Sequence, residues 1–141
     1  MIEFLNENIE FPSINTGLLE NWIKRIIKEH DFNLGSVTII FCSDQYILKT
    51  NKEFLNHDYY TDIITFDYCE NRNISGDLLI SLETVRSNSE KFNTDFSDEL
   101  NRVIIHGILH LIGFDDSTPE LKANIRKEED KALEILQNMD V

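Results

Sequence analysis

The chain has 141 residues, the length of one domain, and its 41% hydrophobic and 28% charged content is that of a globular protein able to bury a core without disulfides. Lys and Arg number 13 against 26 Asp and Glu, a net charge of −13 that opposes non-specific attraction to polyanions and counts against a free-standing nucleic-acid binder; contact with RNA has to be local or assisted. No basic start precedes an apolar run in residues 1–12, and the longest apolar stretch, Val103 to Phe114, is too short and too polar for a bilayer, so a cytoplasmic protein with no membrane segment is expected.

In chain order, Ile2 to Phe11 reads as an edge strand and Thr16 as the N-cap of a first helix. Leu18, Leu19, Trp22, Ile23, Ile26 and Ile27 recur at helical spacing, with Lys24, Arg25 and Lys28 outside, until Asn33 and Gly35 end the element. Val37 to Cys42 is β-branched and aromatic, hence a buried strand, and Asp44 caps a helix from Gln45 to about Leu55. Asp62 to Tyr68 and Gly76 to Leu82 read as two further strands joined by the polar turn Glu70 to Ser75, and a third helix covers Glu83 to Phe92. Ser97 caps a fourth helix, and Thr118 with Pro119 at the first helical position starts a last one, Glu120 to about Gln137. The order of elements predicts an α+β fold in one domain, residues 1–141: a small mixed sheet of about four strands with about five helices packed on it. Cys42 and Cys69, far apart and outside any Cys-x-x-Cys spacing, read as buried hydrophobes, and the basic group Lys122, Arg126, Lys127 and Lys131, interleaved with acids, as a solvated helix face.

The stretch HGILHLIGFDDST, His106 to Thr118, carries the chemistry. Leu100, Val103, Ile104, Ile105, Ile108, Leu109, Leu111 and Ile112 make its helix apolar on most sides, leaving one polar stripe of Glu99, Arg102, His106 and His110. Imidazoles at i and i+4 can converge on one tetrahedral ion, and Gly113 lets the backbone leave the helix and return a third ligand. Asp116 fits that place by spacing, whereas Asp115 more naturally points away or caps the turn. Three protein ligands leave a position for water, whose pKa zinc lowers to about 7, so the expected site is hydrolytic. A purely structural zinc site favours four ligands and thiolates, and neither cysteine is placed to supply one. Two histidines with one carboxylate also form the iron triad of oxygenases. Zinc peptidases of the His-Glu type place a glutamate general base after the first histidine; Gly107 stands there instead, so peptide hydrolysis by that route lacks its base.

These blocks resemble the YbeY family, bacterial endoribonucleases involved in ribosomal RNA maturation and ribosome quality control. The family's His-Gly-x-Leu-His-Leu-x-Gly-Tyr-Asp-His is matched by HGILHLIGFDD, its Pro-Thr-Asp-Val-Leu-Ser-Phe by YTDIITF, and its Gly-Asp-Ile strand by GDLLIS at Gly76 to Ser81, in the same order over roughly Lys49 to Asp116. The resemblance implies a zinc-dependent, single-strand-specific endoribonuclease whose partner is RNA, ribosomal RNA or the small ribosomal subunit. Its third histidine falls on Asp116, so the implied ligand set is His106, His110 and Asp116, and an arginine of its Asn-x-x-Tyr-Arg block falls on Leu55, which makes no charge-assisted contact. His57 and Arg102 are candidates to face phosphate in its stead, or else an exposed loop histidine and a surface helix arginine; Thr61 and Asp62 either line the cleft or cap a strand start. The acidic charge and the missing arginine also suit a non-catalytic ribosome-assembly protein.

Overall fold

The computed structural model describes residues 1–55 and 61–139, so that His57 lies outside the described residues. Alternation along the strands decides which face each helix covers. In β2 (Asn33–Cys42), Val37, Ile39 and Phe41 are buried on one face and Cys42 on the other; in β4 (Asn73–Ser81), Leu78 and Ile80 share the first face and Leu79 the second. The first face carries the main core, closed by α1 (Thr16–Glu29), α3 (Leu82–Lys91), α4 (Phe96–Ile112) and α5 (Pro119–Gln137). On the second face, Ile47 of α2 (Asp44–Leu55) meets Cys42, Leu79 and Ile64, the last from β3 (Ile63–Asp67).

The sheet runs β1-β2-β4-β3, where β1 is Ile2–Glu7 at one edge. Its β1–β2 and β2–β4 pairs are parallel and β3 is antiparallel to β4, so among the described residues the expected mixed four-stranded α+β architecture with five helices is what forms. Parallel neighbours need crossovers, which α1 supplies between β1 and β2, and α2 with β3 between β2 and β4.

Helix α4 is the central element. Leu100, Ile104, Ile105, Ile108 and Leu109 are each 0% exposed, and burial of such side chains stabilises the fold by roughly 1.5–3 kcal/mol apiece. At Gly107 the helix backbone comes so near the sheet that a Cβ would lie 2.8 Å from Ile63 Cδ1 and 2.9 Å from Leu78 Cδ1. The indole of Trp22 in α1 donates to the carbonyl of Ala132 in α5 at 2.8 Å, fixing these two helices side by side.

Several element ends differ from the sequence reading, each for a local reason. The first helix is capped by Asn15, whose carboxamide oxygen accepts from the Leu18 N–H at 3.0 Å, and Thr16 is already helical; Asn ranks above Thr at this position. That helix ends at Glu29, because Asp31 turns the chain at φ 65°, and the Asn33 N–H already donates to the carbonyl of Arg72, in the turn just before β4; Asn33 and Gly35 belong to β2, where Asn33 pairs with Asn73. Strand β1 stops at Glu7 rather than Phe11, since Asn8 takes φ 59°. The cap of α2 is Ser43, whose hydroxyl accepts from the Tyr46 N–H, while Asp44 accepts from the hydroxyls of Ser81 (2.5 Å) and Thr84 (2.6 Å) and ties α2 to α3. Strand β3 is one residue shorter at each end than Asp62 to Tyr68, and α3 lies one residue earlier than Glu83 to Phe92, because the Ser81 hydroxyl caps it by accepting from the Thr84 N–H. Strand β4 begins at Asn73, so the turn closes over Glu70 to Asn73 with Asn71 at φ 56°. Ser97 lies inside α4, which Asp95 precedes without a side-chain capping bond; Asp98 and Glu99 in the first turn complement the helix dipole instead. Thr118 caps α5 as expected, accepting from the Leu121 N–H at 3.1 Å.

Both cysteines are free. Burial, joined by the charges of Asp44 and Glu7, pushes the Cys42 thiol up to about 12, a value at which it acts as a small hydrophobe. Among the described residues no helix is long and apolar enough to cross a membrane.

Candidate metal centre

Because the apolar residues of α4 occupy most of its circumference, Glu99, Arg102, His106 and His110 come out as a half-buried stripe. The helix then ends at Gly113, whose φ of 124° no L side chain adopts without strain, and the N–H groups of Gly113 and Phe114 turn back to the carbonyl of Leu109. This reversal carries the next residues back over the last turn. Asp115 stabilises it, accepting from the Asp116 N–H at 2.7 Å and the Ser117 hydroxyl at 2.8 Å; those two bonds hold its carboxyl below the ordinary value. Asp116 is the carboxylate left to face the histidines.

The two Nε2 atoms of His106 and His110 are 3.0 Å apart, and Asp116 Oδ2 lies 3.5 Å from the first and 3.6 Å from the second. Ligands on a tetrahedral zinc at about 2.0–2.1 Å are separated by roughly 3.3 Å, so this triangle fits such an ion with only small adjustments. Side-chain exposures of 24%, 27% and 41% leave one flank of it open to solvent. An open three-ligand set of two imidazoles and a carboxylate is the arrangement of a catalytic rather than a structural site.

A fourth residue completes the centre, and the sequence reading did not single it out. Glu129 of α5, only 5% exposed in its side chain, places Oε2 2.5 Å from His106 Nδ1. A carboxylate accepts, so Nδ1 carries a proton and the Nε2 lone pair of the neutral ring is turned to the centre. The other oxygen of Glu129 takes Arg102 Nη1 at 2.9 Å, and Arg102 Nη2 reaches Asp130 at 2.7 Å. Arg102 thus serves the acids of α5. Burial pulls the His106 ring down, but the bond to Glu129 and the charges of Glu129, Asp116 and Asp62 outweigh it and raise the ring above the ordinary histidine value. The sequence did hold one signal: Glu129 interrupts the apolar period of α5, lying one turn after buried Ile125 and one before buried Ala132.

Beside the centre lies a cavity of about 410 Å³, lined by Asp62, Glu99, Lys122 and Arg126 among others, with His106 and Asp116. Asp62 therefore lines the cleft. Thr61 precedes it, its hydroxyl 3.4 Å from the Ile63 carbonyl and 3.5 Å from the Asp62 carboxylate. Burial is the main cause that pushes the Glu99 carboxyl up, against the opposing charge of Arg102.

The position after the first histidine faces the sheet, so no residue there can act as a base in the cleft. Gly107→Glu is expected to yield no peptidase and to destabilise the protein by about 3 kcal/mol or more, since it drives a side chain into Ile63 and Leu78 and buries a charge. Chemical denaturation reads this directly; an unchanged midpoint would contradict the packing.

Known proteins share this architecture. The family model described as Endoribonuclease YbeY matches residues 2–137. The Endoribonuclease YbeY of Bacteroides fragilis is 50% identical over 132 residues, 94% of this chain and 95% of that protein. Its counterpart in Parabacteroides distasonis is 49% identical over 135 residues, 96% of this chain and 95% of that one. A Thermotoga maritima protein solved in solution superposes with a TM-score of 0.64 at 28% identity, covering 99% of this chain and 97% of that one. With a family match over nearly its whole length and relatives of about half-identical sequence, the chain belongs to the endoribonuclease YbeY family.

Proposed function

We propose that the chain is a metal-dependent endoribonuclease that cuts single-stranded RNA, acting in the cytoplasm on ribosomal RNA or the small ribosomal subunit during maturation and quality control, with one zinc ion held by His106, His110 and Asp116. The observation that carries this reading is the meeting of those three donor atoms at the open end of α4. The names of its relatives support the substrate class.

An ion held by His106, His110 and Asp116 would supply Lewis-acid chemistry, drawing charge from a phosphate oxygen and making water more acidic. The chain's own residues set up the rest. Glu129 holds the His106 tautomer, Arg102 holds Glu129, and the Asp115 turn aims Asp116. Hydrolysis of a phosphodiester needs a group to take a proton from the attacking water and a group to return one to the leaving ribose oxygen. The carboxyls of Asp62 and Glu99 line the same cavity, and Glu99, raised by burial, is suited to hold the proton that is returned.

The test is elemental analysis of protein purified without added metal, followed by assays on single-stranded and duplex RNA. About one zinc per chain with cleavage of the single strand is expected. Iron in place of zinc without RNA cleavage would favour oxygenase chemistry, and binding to ribosomal particles that survives loss of His106, with no cleavage at any metal loading, would favour an assembly factor.

A further inference from the structure

One stripe of α5 turns toward α4: Lys122, Ile125, Arg126 and Glu129, at steps of three or four, all line the cavity beside the metal centre, whereas Lys127 and Lys131 do not. Ile125 and Glu129 are buried, so Lys122 and Arg126 form the rim. Among the described residues neither closes an ion pair, in contrast to Arg102, which Glu129 and Asp130 hold. Arg126 is close enough for its charge to act on Glu99, yet makes no bridge to it. Across the same cavity stands Phe92, at the end of α3, 58% exposed and with Lys91 Nζ 5.6 Å from its ring centre. Free cations and an unburied aromatic ring beside a metal centre, in a chain of net charge −13, are unusual company and ask for a ligand that is both anionic and flat.

We infer that the groove between α4 and α5 is the path of the RNA strand, with Lys122 and Arg126 on its phosphates and Phe92 beneath one unstacked base. This rests on the endoribonuclease reading and deepens it. The acids of the cavity repel a polyanion except where cations outface them, so Lys122 and Arg126 mark the point of entry. A base within a duplex is already stacked and cannot lie on Phe92, whereas a single-stranded base can; the ring is therefore the source of discrimination between the two. Together they supply what Leu55 does not, a charged contact to the substrate backbone.

The test uses the zinc-loaded full chain and a single-stranded oligoribonucleotide. Lys122→Ala combined with Arg126→Ala should raise KM by about tenfold or more and reduce the slope of log affinity against log salt by about 1.4, two phosphate contacts at roughly 0.7 each, the loss appearing in KM rather than kcat. Phe92→Ala should raise KM by about tenfold for the single strand, and Phe92→Trp should restore it, its fluorescence quenched by the oligonucleotide against the buried Trp22. Lys24→Ala combined with Arg25→Ala removes equal charge from α1 and serves as control, with zinc content and melting temperature reporting the fold throughout. If the unaltered protein cleaves while the groove variants match that control in KM and salt slope, the groove assignment is overturned. If the unaltered protein neither binds nor cleaves single-stranded RNA, the endoribonuclease reading falls first.

Discussion

Replacing His110 with alanine is expected to abolish metal loading and RNA cleavage together, the rate falling by about a thousandfold or more as the activated water is lost. The triangle of donors is reduced to His106 and Asp116, 3.5 Å apart, and two ligands on an open flank do not retain a divalent ion against water. The fold should survive, because the His110 side chain is 27% exposed in the last turn of α4 and its polar contacts are with His106 and Asp116, the other members of the centre. Metal content, cleavage and circular dichroism measured on one preparation separate these effects. Cleavage retained by a metal-free His110→Ala protein would end the proposed mechanism.

Glu129→Gln should produce the second largest change, and through a residue that does not touch the metal position. The carboxylate accepts on both sides, from His106 Nδ1 and from Arg102, whereas a carboxamide offers one oxygen and must point its NH2 group at one of these donors. The His106 tautomer is then no longer imposed, and zinc affinity is expected to fall by about 10- to 100-fold. Removing one partner of a nearly buried ion pair also costs stability, about 3 kcal/mol, at the low end for such a loss because Arg102 is 21% exposed and keeps Asp130. The ring of His106, raised above all by Glu129 against the pull of burial, should titrate lower in the metal-free variant. A zinc competition titration beside a denaturant melt reads both effects. Unchanged zinc affinity with lowered stability would reduce Glu129 to a packing role.

What the sequence determined by itself follows from local periodicity. The 3.6-residue repeat of Leu100, Ile104, Ile108 and Leu111 was enough to make α4 a core helix, the i, i+4 spacing to put His106 and His110 on one stripe, and Gly113 to reverse the chain toward Asp116. Turn and strand composition likewise yielded a mixed sheet of four strands, with ends displaced by a residue or a few because caps such as Asn15 and Ser43 compete with near-equal neighbours. Only the tertiary structure decided that Glu129, 23 residues beyond His106, meets its ring, that Arg102 pairs with the acids of α5, and that Lys122 and Arg126 turn to the cavity while Lys127 does not. The rotation of α5 about its axis is set by burial against α4 and by the Trp22 bond to Ala132, interactions between residues distant in the chain, and one helix's own pattern of charges carries no record of which acids another helix will cover.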